Sequence, residues 1–400
     1  MELRPILSAL LRNKTGAVLV GLQIALTLAV VANSAFIIVQ RIERIHRPTG
    51  MDTDNLIFVE TYGFGPAYDQ RDTARRDLDI IRATPGVVAA STINPVPLSG
   101  AGSMSSFLRE PGPQRGVNAN IYSIDEHGLE ALGLKLVEGR AFNEQEIQYT
   151  SDPSASDFVP SVIITRDFAK ALFGDEPALG KNIYDGLGRS AVVVGIVEHM
   201  LGWVHWDTPT RIMLQPRIAS PPKLQYVVRV EPGMRDALIA ELERKLADLN
   251  PNRAVTAVRP HDYYIEQTYR VDNRMVAFLS VIVVLMISVT ALGIVGLASF
   301  YVNVRRKQIG TRRAIGARRI DIIRYFMVEN WLLTTGGALI GAVLAFAFGQ
   351  WLSSAYALPR LEPIYVLAGV VLLWILGLAA VFVPARRAAA IPPAIATRTV

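Results

Sequence analysis

The sequence predicts a membrane α-helical protein with four transmembrane helices and an inserted mixed α/β extracytoplasmic domain of two subdomains. Two observations support this fold class. Of the 400 residues, 51% are hydrophobic and only 19% are charged, which is too apolar for an ordinary soluble protein. The apolar excess is concentrated in four blocks, and residues 41–274, between the first two blocks, have the composition of a soluble domain.

Each of the four blocks lacks charged side chains and is long enough to form a membrane-spanning helix. They are Gly16–Val39, Val276–Val302, Asn330–Leu352 and Ile364–Val383. About 20 residues, at about 1.5 Å of helical rise each, cross a hydrocarbon core of about 30 Å. Buried helices of soluble proteins rarely contain such long uncharged runs, so we interpret all four blocks as spans. The first block is longer than the apolar region of a signal peptide, which indicates an uncleaved anchor.

The orientation follows from the basic residues that flank the spans. Residues 303–326 contain eight Lys and Arg against one acid, and each terminal tail adds three basic residues. The positive-inside rule therefore places both termini and residues 303–326 in the cytoplasm, and residues 41–274 in the periplasm. The periplasmic segment holds 26 of the 41 basic and 31 of the 35 acidic residues, a net charge of −5. Because the basic surplus belongs to the cytoplasmic face, no nucleic-acid partner is expected.

These spans divide the chain into nine segments. An apolar stripe from Leu3 to Leu11, beside Arg4 and Arg12, predicts a helix that lies in the cytoplasmic membrane interface. The segments are an interfacial helix (1–15), the first span (16–40), the periplasmic domain (41–274), the second span (275–302), a cytoplasmic loop (303–326), the third span (327–352), a short periplasmic loop (353–363), the fourth span (364–383) and a cytoplasmic tail (384–400).

Within the periplasmic domain, β-branched runs and helical periodicity predict alternating strands and helices. The predicted strands are Leu56–Glu60, Ser161–Thr165, Ala191–Val197 and Tyr226–Val230. The predicted helices are Ala74–Arg82, Phe168–Phe173 and Met234–Leu249. Residues 98–117 and 143–159 are rich in Ser, Pro, Gly or acids and are predicted as loops.

The sequence contains no pattern that carries catalytic or metal chemistry. The run Gly174–Asn182 resembles a phosphate-binding loop but has five residues between its first two glycines and Asn where Ser or Thr binds Mg²⁺. The five histidines lack ligand spacing, and for the pair His199 and His205 a packing role is favoured over metal binding. The polar residues inside the spans are not ionisable, which argues against an ion-coupled carrier. We therefore expect no catalytic, cofactor or metal site and no enzymatic activity of the chain by itself.

Two pairs of small residues are spaced for close helix packing. Gly21 and Ala25 lie in the first span, and Gly337 and Gly341 lie in the third. Small residues four positions apart allow helix backbones to approach closely in membranes. The pairs fit packing within one subunit or between two, and the spacing leaves both open.

Several stretches resemble the MacB/FtsX-type ABC transporter permeases. Arg305–Leu333 is similar to that family's cytoplasmic loop and third span, and Pro384–Arg398 to its tail. Val137–Phe142, Val162–Ile183 and Val192–Met200 resemble its periplasmic core domain. The likeness extends over nearly the whole chain and follows the family's order.

The resemblance implies a permease subunit in the bacterial inner membrane that pairs with a second permease and an ABC ATPase subunit, which binds ATP and Mg²⁺. It implies mechanotransmission, in which the ATPase moves the periplasmic domains to export or release an unidentified substrate. A periplasmic adaptor and an outer-membrane component are further expected partners of an exporter. The alternative is a transmembrane regulator that uses the same movement to activate a periplasmic partner such as a cell-wall hydrolase.

The same resemblance places the contact with the ATPase on the cytoplasmic loop and tail. The residues expected to couple are Gln308, Ile309, Gly310, Arg312, Arg313, Ala314, Gly316, Ala317, Arg386 and Arg387. The glycines permit tight bends between short helices, although the arginines alone also fit an ordinary positive-inside loop. Gln308 replaces the family's usual glutamate, which fits either a non-identical second permease or a tolerated substitution in a homodimer.

Overall fold

The computed structural model describes residues 14–112, 115–149, 159–203, 209–218, 222–356 and 359–392. The chain divides into two compact units. The helical unit comprises Met1–His46 and Val271–Val400, and the inserted unit comprises Arg47–Arg270. The predicted interfacial helix lies outside the described residues except for its last two positions.

Nine α-helices and twelve β-strands occur in the described residues. The helices are α1 (Lys14–Ile45), α2 (Gln70–Arg82), α3 (Gly128–Leu132), α4 (Arg166–Phe173), α5 (Arg235–Ala247), α6 (His261–Val304), α7 (Arg306–Ala314), α8 (Arg319–Tyr356) and α9 (Pro363–Ala389). The strands are β1 (Leu56–Gly63), β2 (Val87–Asn94), β3 (Ser103–Phe107), β4 (Val117–Ile124), β5 (Leu136–Gly139), β6 (Gln148–Tyr149), β7 (Ser161–Thr165), β8 (Asn182–Tyr184), β9 (Ser190–Val197), β10 (Ile212–Ile218), β11 (Lys223–Val230) and β12 (Arg253–Pro260).

The helical unit contains four helices, α1, α6, α8 and α9, that are long and apolar enough to cross a membrane. This confirms the four apolar helices predicted from the uncharged blocks. Ile24 and Leu28 of α1 are fully buried and pack in one apolar cluster with Ala338 of α8 and Leu373 of α9. Over its most apolar stretch α1 is 56% buried, against 11% for α6. The first helix is therefore the centre of this unit, and α6 leaves most of its apolar surface uncovered.

The predicted cytoplasmic loop 303–326 is largely helical. It contains the end of α6, all of α7 and the first turns of α8. The chain turns between α7 and α8 at Gly316, whose φ of +106° favours glycine. Gly310, the other glycine expected to permit a bend, is buried inside α7 instead. Only Gly316 is therefore placed where a bend occurs.

The inserted unit is built on one mixed sheet, which confirms the mixed α/β class of this segment. The strand order is β12-β1-β11-β2-β4-β10-β7-β9-β5, with β3 on β4, β6 on β10 and β8 on β9. Strand β1 is antiparallel to both of its neighbours, whereas β7 and β9 are parallel.

Two separate apolar cores cover this sheet. Leu78 of α2 and Leu242 of α5 are buried in the first core, against strands that include β1 and β11. Phe168 of α4 is buried in the second core, 5.8 Å from Phe107 between ring centroids. Hydrogen bonding along the sheet is continuous from one core to the other. The division into two subdomains therefore stays a prediction.

All seven strands and helices predicted for the inserted unit overlap observed elements, namely β1, β7, β9, β11, α2, α4 and α5. The predicted loop 98–117 is wrong, because β3 lies within it and β4 begins at its last residue. Strand β3 pairs along β4 from Ser103 opposite Ile121, despite its turn-like composition. In the predicted loop 143–159 the described part contains the short strand β6, and residues 150–158 lie outside the described residues.

Candidate functional site

The residues predicted to couple lie where α7 turns into α8 and where α9 ends. Two of them, Ile309 and Gly310, are buried, and Arg313 and Ala317 are half-buried. The exposed members are Gln308, Arg312, Ala314, Gly316, Arg386 and Arg387.

The exposed apolar surface of this region lies at the turn rather than on α7. Ile309, one of the residues expected to couple, is 5% exposed and packs with Ile322 and Phe326 inside the helical unit. Ile315 and Ile320, on either side of the turn, are 82% and 63% exposed. An apolar contact with another protein at this end is therefore available at Ile315 and not at Ile309.

The position of α7 is held by Arg313. Its Nη1 donates to the carbonyl oxygens of Ala389 and Ile391, at 3.0 and 2.8 Å. Ala389 is the last residue of α9 and Ile391 follows two residues later, so the guanidinium lies at the helix C-terminus, where the partial negative charge of a helix favours a cation. The turn that carries Ile315 is thereby tied to the end of α9.

A buried ion pair joins Arg305, the residue between α6 and α7, to α8. Nη1 of Arg305 lies 3.0 and 2.9 Å from the two carboxylate oxygens of Glu329, and the side chains are 12% and 6% exposed. Glu329 lies inside the predicted third span, 327–352, so the expectation that the spans hold no ionisable group is wrong at this position. Breaking such a pair leaves an uncompensated buried charge.

The two small-residue pairs contact each other across α1 and α8. A methyl group added at Gly337 would lie 2.8 Å from the carbonyl oxygen of Gly21. One added at Gly341 would lie 2.8 Å from the carbonyl oxygen of Ala25. The helix backbones approach so closely here that no larger side chain fits, and the contact lies within one chain.

Polar residues inside the helices make contacts between helices. The hydroxyls of Thr27 in α1 and Thr290 in α6 are 2.7 Å apart. Asn33 donates to the carbonyl oxygen of Ala345, at 3.0 Å. By contrast, Nδ2 of Asn330 and Oγ1 of Thr334 are buried and have no hydrogen-bond partner among the described residues. A buried donor without an acceptor is costly and calls for an explanation.

The buried ionisable groups of the inserted unit are structural. Asp77 accepts from the hydroxyl of Tyr226, at 2.6 Å, and pairs with the fully buried Arg253. Burial raises the pKa of Asp77, and the hydrogen bond from Tyr226 and the charge of Arg253 oppose that rise. Burial lowers the pKa of His261 to about 4, so its neutral ring, whose Nε2 donates to the carbonyl oxygen of Pro97 at 3.1 Å, is favoured.

The structure describes only one member of the predicted histidine pair. His199 contacts the carbonyl oxygen of Pro48 through Nε2, at 2.9 Å. His205 lies outside the described residues. Within the described ranges, no group of three His, Cys, Asp or Glu residues is arranged to hold a metal ion.

Comparisons with known families match almost the whole length of the chain. Residues 22–245 match the MacB-like periplasmic core domain, and residues 280–393 match the FtsX-like permease C-terminal family. The first match alone covers more than half of the chain.

Individual relatives are more distant. The macrolide export ATP-binding/permease protein MacB of Vibrio parahaemolyticus is 24% identical over 306 residues, covering 73% of this chain and 44% of the relative. The protein of the same name from Neisseria meningitidis is 24% identical over 368 residues, covering 86% and 52%. The crystal structure of the periplasmic region of MacB from Actinobacillus actinomycetemcomitans is 18% identical, covers 55% of this chain and 94% of that one, and has a TM-score of 0.35. The chain spans about half the length of the curated relatives it matches.

Proposed function

The chain belongs to the family of FtsX-like permeases with a MacB-like periplasmic core domain, and we propose that it is the permease component of an ABC transporter that works by mechanotransmission. An ABC ATPase in the cytoplasm binds ATP and Mg²⁺ and supplies the energy. The chain carries the resulting movement to its periplasmic domain, which exports or releases a substrate. Both MacB relatives are named as macrolide export proteins, which supports export as the direction of transport.

The exposed turn at Ile315 is the observation that best supports docking of an ATPase. An isoleucine with 82% exposure, surrounded by the exposed arginines of α7 and α8, is a typical centre for a protein contact. The hydrogen bonds from Arg313 to the end of α9 keep this turn fixed to the helical unit. A force that the ATPase applies at Ile315 is thereby transmitted to α9 as well as to α8.

The proposed movement reaches the periplasm through α1 and α6. Helix α6 is continuous from His261 to Val304, so it belongs to both units of the chain. Close to the residue at which α6 passes from one unit to the other, Nη1 of Arg41 in α1 lies 2.6 Å from Oδ1 of Asp272 in α6. This ion pair links the two helices that lead into the inserted unit, which supports their moving together.

The proposal includes the orientation and the partners. Both termini, the turn at Ile315 and residues Arg386 and Arg387 face the cytoplasm, and residues 41–274 face the periplasm of the bacterial inner membrane. A second permease chain, identical or not, completes the complex. A periplasmic adaptor and an outer-membrane component join it if the role is export.

Co-purification tests this function. The tagged chain, isolated in mild detergent from membranes of its native host, is expected to bring down an ATP-hydrolysing protein. Ile315→Asp should reduce the recovered ATPase activity at least tenfold, because it places a charge at the centre of an apolar contact. Leu187→Asp is the matched control, since Leu187 is 75% exposed on the inserted unit.

Equal ATPase recovery with both variants would refute docking at the turn. Recovery of a cell-wall hydrolase in place of an adaptor would favour the regulatory alternative. The absence of any ATPase with the unmodified chain would refute the permease function itself.

A further inference from the structure

The segment that connects β2 to β3, residues 95–102, is held against the first turns of α6. The hydroxyl of Thr268 donates to the carbonyl oxygen of Leu98, and Nε2 of His261 donates to that of Pro97, at 3.1 Å. The two donors are about two helical turns apart, so they lie on one face of α6. Both are buried, at 7% and 0% exposure. One face of α6 therefore holds two consecutive carbonyl groups of the connecting segment.

The backbone of this segment is fixed in a conformation that costs energy. Leu98 has a φ of +56°, in the left-handed region that leucine seldom adopts. Its side chain is 1% exposed, that of Val96 is fully buried, and the hydroxyl of Ser99 donates to the carbonyl oxygen of Val96 at 2.7 Å. A strained residue of this kind persists only where its surroundings over-determine its conformation. The connecting segment is therefore rigid, and it moves with the helix that holds it.

The segment lies beside the shortest part of the strand pairing that joins the two cores of the inserted unit. Strands β12, β1, β11 and β2 form the first half of the sheet, and β3, β4, β10, β7 and β9 form the second half. The halves meet where β2 pairs with β4, at Ile93 opposite Ile124 and Asn94 opposite Ser123. Within the first half, by contrast, β1 pairs with β11 throughout Leu56–Tyr62. With so little pairing across it, the junction resists a change of angle less than either half resists bending.

The far end of the connecting segment contacts the second half. A methyl group added at Gly102 would lie 2.7 Å from a ring carbon of Trp203, so the backbone packs directly on the indole. A methyl group added at Gly202, the neighbour of that tryptophan, would lie 2.6 Å from Cδ1 of Ile212 in β10. Strand β3 then begins at Ser103. A displacement of the segment is therefore passed to the second half both along the chain and through Trp203.

We propose that Thr268 and His261 are positioning residues through which movement of α6 turns the second half of the sheet against the first. Helix α6 begins directly after Pro260, the last residue of β12, so the first half is joined to it through the chain itself. The second half receives the movement through the connecting segment, with the β2–β4 junction as the place where the angle changes. This inference rests on the proposed mechanotransmission, and it identifies the contacts by which the periplasmic domain changes shape.

Distances between two spin labels, measured by electron paramagnetic resonance in the complex with the co-purified ATPase, test this movement. The chain has no cysteine, so Ser105→Cys on β3 and Ala240→Cys on α5, both exposed, place one label on each half. A non-hydrolysable ATP analogue should shift this distance in the chain that carries no other change. Thr268→Val removes the hydrogen-bond donor and should abolish the shift, whereas Thr268→Ser keeps the donor and should retain it.

Thr61→Val is the matched control. It removes another buried threonine hydroxyl, which donates to the carbonyl oxygen of Leu224 at 3.4 Å inside the first half. A merely structural loss would affect both variants alike, whereas the proposed coupling predicts that Thr61→Val keeps the shift. An unchanged shift in Thr268→Val, or an equal loss in Thr61→Val, would overturn the coupling.

A second label pair gives a test that does not depend on the folding of a variant. Glu266→Cys, exposed near the start of α6, is combined with Ala240→Cys and reports the movement of α6 itself. The analogue should shift both pairs. A shift of the Glu266 pair alone would overturn the role of the connecting segment and leave mechanotransmission intact, and a shift of the Ser105 pair alone would exclude α6 as its source. No shift in either pair would refute the coupling together with the proposed function.

Discussion

Replacing Gly341 with alanine tests how closely α1 and α8 pack. The new Cβ would lie 2.8 Å from the carbonyl oxygen of Ala25, 2.9 Å from its Cα and 3.0 Å from Cβ of Leu28. Carbon atoms in ordinary contact are about 3.5–4.0 Å apart. Because two of the three neighbours are backbone atoms of a helix, they cannot turn aside. The two helices must therefore separate by about 1 Å to admit the methyl group.

The cost is that of overpacking a tight contact, about 1–3 kcal/mol. Gly336→Ala is the matched control, since a Cβ there meets no atom within 4 Å. Both variants gain the same helix propensity, about 1 kcal/mol in alanine's favour. The difference between them therefore isolates the contact, and we expect Gly341→Ala to be less stable than Gly336→Ala by about 1–3 kcal/mol.

Reversible unfolding in mixed micelles, with increasing SDS and tryptophan fluorescence as the signal, measures this difference. A midpoint for Gly341→Ala equal to or above that of Gly336→Ala would mean that the helices are not in close contact at Gly341. An equal fall for both variants would point to a general effect of adding methyl groups to α8.

Three further outcomes are expected. Native His261 has a pKa of about 4, below the ordinary 6.5, so between these pH values the unfolded chain binds a proton that the native chain does not. The free energy of unfolding is therefore retained above pH 6.5 and falls by about 3 kcal/mol towards pH 4. Hydrogen exchange should show this pH dependence in the unmodified chain and its loss in His261→Leu. Glu329→Leu should cost about 3 kcal/mol in SDS unfolding, whereas adding Arg305→Met should recover most of it, and additive losses would contradict the ion pair. In the cysteine-free chain, Ser103→Cys should react with a membrane-impermeant thiol reagent in spheroplasts and Thr311→Cys should not; labelling at Thr311 would reverse the orientation.

Features that depend on composition over long windows could be predicted from the sequence. The four long helices follow from the absence of charge, because a charge inside a span is costly whatever its neighbours are. Strand β7 was predictable because its five residues, Ser161–Thr165, form a bounded β-branched run. Strand β3 was not, since it consists mostly of Ser and depends on β4 as a partner.

For the candidate site, the family resemblance indicated a segment but not which of its side chains are exposed. It placed the expected ATPase contact within residues 308–317 and on Arg386 and Arg387, and that placement stays a prediction. Which side of α7 is buried depends on the end of α9, which is far along the chain. The sequence therefore does not distinguish Ile309 from Ile315 as an exposed side chain, although Ile309 is 5% and Ile315 is 82% exposed. Glu329 was missed because the uncharged block begins one residue later, although an acid that follows so many arginines was a signal of its ion pair with Arg305.

The pairing of β1 with β12 has a consequence for biogenesis. Ile57 and Pro260, near the two ends of the inserted unit, are opposite each other in the sheet. In the proposed orientation, strand β1 therefore cannot complete its pairing until nearly all of this segment has been translocated. Closing so long a loop is entropically slow compared with local folding. In the proposed orientation we therefore expect the segment to cross the membrane as an unfolded chain and to form its sheet afterwards.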